Sequence, residues 1–189
     1  VTHLHTTTQK PIKKLLYGRT SLNLEAALFY FDKKTRVQQL IHNLKYRGQE
    51  ALSDFLGQWL GAQLAEEAAF SQIDCVMPVP LHKSRLRERG YNQVAGFGKA
   101  IAQCLNKPYY DHILYRTKAT RTQVFLNRVF RGTEVLDSFA VIETTSLQGM
   151  HILLVDDLIT TGGTVEGCAL ALEKIPEIKL SVAVMAIAQ

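Results

Sequence analysis

Two adjacent carboxylates, Asp156 and Asp157, stand just ahead of a run of hydroxyls and glycines, Thr160-Thr161-Gly162-Gly163-Thr164. Carboxylates only accept hydrogen bonds at neutral pH and so suit a diol. Glycines let backbone amides approach an anion closely, and threonines add hydroxyl donors. A sugar phosphate is the simplest ligand that satisfies both halves. The loop holds no lysine, and the G-x-x-x-x-G-K-[ST] signature of nucleoside-triphosphate loops is absent. The chemistry indicated is a monoester phosphate held by neutral donors.

The elements around this stretch must position it. Ile152 to Val155 has the length and branched content of a strand buried on both faces, which the two acids end. The spacing of Val165, Cys168, Ala169 and Leu172 predicts a helix that begins near Gly163 and stops near Ile175-Pro176. A helix start offers amides without intrahelical partners and the positive end of the dipole. A receiver domain also carries an acidic pair after a strand, but it needs a phospho-acceptor Asp on a later strand. The segment after Val182 contains no Asp.

A second charged stretch follows a strand predicted over Ile73 to Val79, which Pro78 and Pro80 stop. Lys83, Arg85, Arg87 and Arg89 alternate through it. Cations beyond a strand end lie where open α/β sheets put ligands, so Leu81, His82, Lys83, Arg85 and Arg89 are diphosphate-binding candidates. A basic run serves equally well as a solvated face or a nucleic-acid patch, and composition alone leaves that choice open.

Residues 1–24 lack periodicity and read as an extended or partly disordered lead-in, in which His3 and His5 are a solvated pair. Ala26 to Phe31 reads as a strand. Val37, Leu40, Ile41 and Leu44 mark a helix ending at Lys45-Tyr46-Arg47-Gly48, where Lys45 and Arg47 are either functional or cations at a helix terminus. Leu52, Phe55, Leu56, Trp59, Leu60 and Leu64 form the stripe of the next helix, with Trp59 in the core. A helix over Gln93 to Leu105, short strands at Ile113–Tyr115 and Phe139–Ile142, and a buried last strand over Ile178–Ile187 complete the order. Between Arg116 and Arg131 the chain is polar and aperiodic, as a lid or a disordered segment would be.

With 189 residues, 47% of them apolar, the chain can bury one ordinary core. No apolar run reaches the ~18–20 residues of a membrane span, and the reading is a cytoplasmic protein. The net charge of +5 suits a polyanionic small ligand as well as nucleic acid. Cys75, Cys104 and Cys168 are far apart and read as core thiols.

The acidic pair and Thr-Thr-Gly-Gly-Thr loop resemble the 5-phosphoribosyl-1-diphosphate (PRPP) motif of type I phosphoribosyltransferases. Further blocks resemble the ComF/GntX family, phosphoribosyltransferase-like proteins linked to DNA uptake competence. They are Lys45-Tyr46-Arg47-Gly48, Val79-Pro80-Leu81 with Arg85, Arg89-Gly90-Tyr91-Asn92-Gln93, and Arg116 with Thr122-Gln123. The likeness covers residues 26–189. Two departures stand out. The family commonly opens with a four-cysteine zinc module, either removed or lacking here, and Glu134 stands where it tends to have Asn.

The resemblance implies an α/β fold, a doubly wound and mostly parallel sheet of the type I phosphoribosyltransferase kind with a small hood, occupying residues 25–189. It further implies PRPP with Mg²⁺ held mainly through PRPP, and a glycosyltransferase of nucleotide metabolism with an unsettled acceptor. Phosphoribose transfer releases diphosphate, with Asp156, Asp157, Lys83, Arg85 and Arg121 as catalytic residues. The acids take the ribose hydroxyls, or one of them serves as general base. Arg121, Gln123, Arg128 and Arg131 belong to the lid. A PRPP-binding protein without catalysis and a competence factor binding single-stranded DNA remain alternatives. Oligomeric state, a homodimer included, stays open.

Overall fold

The computed structural model describes residues 10–46, 49–117, 138–142 and 144–188. Its centre is a four-stranded parallel sheet in the order β1-β6-β5-β2, formed by β1 (Glu25–Phe31), β2 (Cys75–Pro78), β5 (His151–Ile159) and β6 (Lys179–Ala188). Strands β3 (Leu114–Arg116) and β4 (Phe139–Val141) pair antiparallel in a separate small sheet. Among the described residues the α-helices are α1 (Pro11–Leu15), α2 (Arg36–Tyr46), α3 (Glu50–Ala65), α4 (Lys83–Arg89), α5 (Ala95–Leu105) and α6 (Gly163–Leu172).

Side chains alternate across a strand, and β5 shows why its apolar run is unbroken. Ile152 and Leu154 enter a core with Val165, Cys168 and Leu172 of α6. Leu153 and Val155 enter the opposite core with Leu56 and Leu60 of α3 and Phe97 and Ile101 of α5. Helices therefore cover both faces, the doubly wound α/β arrangement expected from the sequence. Helices α3 and α5 cross so closely that a Cβ added at Gly57 would lie 2.5 Å from the Phe97 carbonyl oxygen.

Three expectations need correction. Strand β5 does not stop at the acids: its pairing with β6 continues through Asp156↔Val184, Leu158↔Ala186 and Ile159↔Ile187. Ladder pairing outweighs the weak strand preference of aspartate. The lead-in is not extended at Pro11–Leu15, where α1 buries Ile12 and presents its amides to Glu25, with Ile12 N–H donating at 3.1 Å to Oε1 and Lys13 N–H to Oε2. Phe55, placed in the buried stripe of α3, is 57% exposed. Trp59 is half-buried, edge-on to Phe29 at 5.8 Å. Among the described residues, no helix is long and apolar enough to cross a membrane.

Candidate functional site

Strands β2 and β5 lie side by side, yet the chain leaves β5 for α6 on one face and β2 for α5 on the other. Neighbouring strands whose connections diverge open a crevice beyond their carboxyl ends, the usual ligand position in such sheets. Asp156 and residues 160–164 line a pocket here, whereas Arg121 lies outside the described residues together with Gln123, Arg128, Arg131, Glu134, Arg47, His3 and His5.

Beyond β5, Asp156, Leu158, Ile159 and residues 160–165 line an open pocket of about 220 Å³, solvent-facing space included. Thr160 and Thr161 are exposed, and Gly163 and Thr164 half-buried. Gly162 caps α6 with φ 77° and no capping side-chain hydrogen bond. The first amides of α6 have no intrahelical carbonyl to bond and mark the place for an anion. Glycine at 162 is required twice over: L side chains disfavour that φ, and a Cβ there would lie 2.6 Å from Leu16 Cδ2.

The two acids part company. Because β5 continues through them, they face opposite sides of the sheet. Asp156 lines the pocket on the α6 side, where its charge acts on the Cys168 thiol and the Arg116 guanidinium. Its Oδ1 accepts the Asp157 amide at 2.8 Å. Asp157 turns to the α5 side, and its Oδ2 accepts a hydrogen bond of 3.0 Å from Gln93 Nε2. Both acids are buried. The two carboxylates thus have different neighbours, the pocket for Asp156 and Gln93 for Asp157.

The basic stretch also rearranges. It is a helix, so residues four apart share a face: Arg85 and Arg89 are half-buried, while Lys83 and Arg87 are exposed. His82 caps this helix, its Nδ1 accepting the Ser84 amide at 3.2 Å, and Leu81 is half-buried. Arg89 Nη1 donates to Gln93 Oε1 at 2.9 Å, completing a relay from Arg89 through Gln93 to Asp157. The rest of the Arg-Gly-Tyr-Asn-Gln block is structural. Gly90 ends α4 at φ 80°, Tyr91 donates to the Leu44 carbonyl, and Asn92 Nδ2 donates to the Val79 carbonyl at 3.1 Å.

Two residues absent from the sequence-derived site stand beside it. Arg116 sits 5.1 Å from the Phe139 ring centroid, and burial lowers its pKa, with Arg85 adding to the effect and Cys168 and Asp156 opposing it. Electrostatics thus links Arg85, Arg116 and Asp156. The second is Arg19, whose Nη1 donates to the Thr161 carbonyl at 2.8 Å and whose Nε donates to Glu166 at 2.9 Å. Arg116 was visible as a block of the family resemblance. Arg19 had no local signal. Among the described residues no three His, Cys, Asp or Glu side chains converge on a metal position. Cys75 and Cys168 are buried and Cys104 half-buried, all as free thiols, and burial raises the pKa of Cys75 to about 12.

No family model matches the sequence. The chain is 31% identical over 137 residues to the DNA utilization protein YhgH of Escherichia coli K12, covering 71% of the chain and 60% of that protein. It is 28% identical to competence protein F of Haemophilus influenzae (72% and 61% covered) and 27% identical to competence protein ComFC of Bacillus subtilis (80% and 59% covered). The chain thus spans about 60% of the length of these curated relatives. Similar solved structures include the glutamine PRPP amidotransferase of B. subtilis, at TM-score 0.49, 16% identity, and 87% and 32% coverage. They also include adenine phosphoribosyltransferase of Leishmania tarentolae, at TM-score 0.46, 11% identity, and 85% and 91% coverage. By sequence the chain is similar to YhgH, competence protein F and ComFC, which is the likeness to ComF proteins that its sequence blocks carry.

Proposed function

We propose that the chain binds PRPP with Mg²⁺ and transfers phosphoribose to an acceptor, releasing diphosphate. The observation that carries this reading is the pocket, lined by no cation, in which one buried carboxylate, Asp156, lies beside the threonine and glycine loop at the start of α6. In this reading residues 160–164 hold the 5′-phosphate through amides and hydroxyls, and Asp156 accepts from a ribose hydroxyl. Asp157, braced by Gln93, holds the strand end in register, a narrower role than the sequence suggested. Arg85 and Arg116 face the departing diphosphate, with Lys83 further out. With no cluster of three His, Cys, Asp or Glu side chains among the described residues, the ion would be held mainly through PRPP oxygens. Mg²⁺ supplies charge stabilisation to the leaving group.

Displacement at the anomeric carbon develops positive charge on the sugar and negative charge on the leaving group. Cations fixed near the latter stabilise the transition state more than the ground state. Phosphate anchoring supplies orientation from a part of the substrate that does not react. The phosphoribosyltransferase-like unit is assigned to residues 25–189, and the acceptor to a nitrogenous or hydroxylic nucleophile.

The test is calorimetric titration with PRPP and Mg²⁺, followed by a diphosphate-release assay across nucleophile classes. Binding with release is the expected result. Binding without release from any nucleophile assigns the chain a PRPP-sensing role, and absence of binding removes the reading. The exposed cations of α4 and the DNA-utilization names of the relatives favour a second reading, in which this face binds single-stranded DNA. A steep salt dependence of DNA binding, indifferent to PRPP, would identify it.

A further inference from the structure

The loop proposed to hold the phosphate contains no cation, and its first helical turn contains an anion, Glu166. A carboxylate at a helix start is favourable on its own, yet it opposes a second anion on the same amides. Glu166 is largely enclosed, its side chain 15% exposed, so water screens it poorly. Something must offset that charge for an anion pocket to work here.

Arg19 meets this need from a distant part of the chain. Its Nε and Nη2 both reach Glu166 Oε2, while its Nη1 donates to the Thr161 carbonyl. One guanidinium thereby joins the loop on one side of Gly162 to the helix on the other. Three residues before it, Leu16 is fully buried and packs where a Cβ of residue 162 would stand. Segment and loop meet twice, once by packing and once by charge.

We infer that Arg19 is a positioning residue of the anion loop, fixing Thr161 and neutralising Glu166, and that residues 10–20 belong to the site. This rests on the phosphate reading of that loop. A lysine would offset the charge, but it lacks the planar fork that reaches a carbonyl and a carboxylate at once.

The experiment is calorimetric titration with ribose 5-phosphate, which carries the monoester alone, and with PRPP plus Mg²⁺, alongside melting temperatures of the free proteins. Arg19→Gln is expected to weaken both ligands by roughly tenfold, since charge-assisted bonds to the loop are lost. Arg19→Lys should fall between it and the parent. The double variant Arg19→Gln/Glu166→Gln should regain the part of the affinity lost to the unpaired Glu166 charge and stay below the parent, because the bond to the Thr161 carbonyl is still missing. A purely structural role for Arg19 predicts a lower melting temperature with unchanged affinity at low temperature, and that result overturns the inference. Failure of the double variant to recover also overturns it. If the parent protein binds neither ligand, the phosphate reading itself fails, an outcome distinct from the other two.

Discussion

The loop after β5 and the helix after β2 both lie beyond strand ends, and the anion-binding role proposed for each rests on opposite means. The first has glycines, threonines and helix amides, with its shape enforced by Leu16 and by a positive φ at Gly162. The second is a short helix with cations on two faces and no fully buried residue. A site built from backbone selects by geometry, and a site built from long side chains selects by charge. The proposed ligand, with a monoester at one end and a departing diphosphate at the other, would call on both.

The sharpest way to break this contrast is Gly162→Val. A Cβ at that position overlaps Leu16, and a branched residue resists φ near 77°. The expected cost is about 2–4 kcal/mol of stability with loss of detectable ribose 5-phosphate binding. Circular-dichroism melts and calorimetry measure both. Retained binding would show that the loop's geometry is not what selects the anion.

Next come the acids. Asp156→Asn is expected to lower PRPP affinity by roughly tenfold to a hundredfold, since it removes the charge lining the pocket. Asp157→Asn is expected to change it by less than about threefold, because Asn still accepts from Gln93 Nε2. Equal losses from the two would mean that both acids reach the ligand, against the alternation of β5.

These acids mark where sequence reasoning stopped short. The apolar run before them and the helix after them were legible from period and length, and the doubly wound order followed from the family resemblance. The strand's continuation was not, because its partners Val184 and Ala186 lie on β6, and pairing across a sheet leaves no local trace. Once the strand is ended too early, its two-residue period cannot reveal that neighbouring acids face apart. Helix α1 was missed for a related reason: Glu25 and the core hold its single turn, with no stripe of its own. Arg19 and Glu166 are a contact between segments 147 residues apart. The cations of α4 were legible as residues but not as faces, since helical spacing sorts them by fours.

That sorting gives a smaller prediction on the other side of the comparison. Arg85→Gln should weaken PRPP by roughly fivefold to tenfold, because Arg85 is half-buried and electrostatically joined to Arg116. Lys83→Gln, on the exposed face, should cost at most about threefold, an effect that fades as salt rises. Titrations at low and high ionic strength separate the two. If Lys83 dominates at both, the outward face of α4 is the binding face.

The smallest effect is expected at the opposite end of β5, where His151 provides a control for the whole comparison. It is buried, its Nε2 lies 2.7 Å from Ser181 Oγ, and that hydroxyl accepts the Leu24 amide at 2.9 Å. The tautomer of the ring sets which of Nε2 and the hydroxyl donates in this bond. Burial lowers the His151 pKa below 6.5, with Asp74 opposing the shift and Lys179 reinforcing it. A depressed pKa in the folded state means that the unfolded chain binds the proton first. Stability from His151 is therefore complete above pH 6.5 and is lost as pH falls through the depressed folded value. Melting temperatures of the parent and of His151→Gln from pH 8 to pH 5 should converge as the solution acidifies. Ligand affinity at pH 8 should be the same in both, because the substitution lies at the strand end away from the pocket. A change in affinity there would mean that the sheet transmits strain along β5, and the separation between the anion loop and the rest of the fold would have to be redrawn.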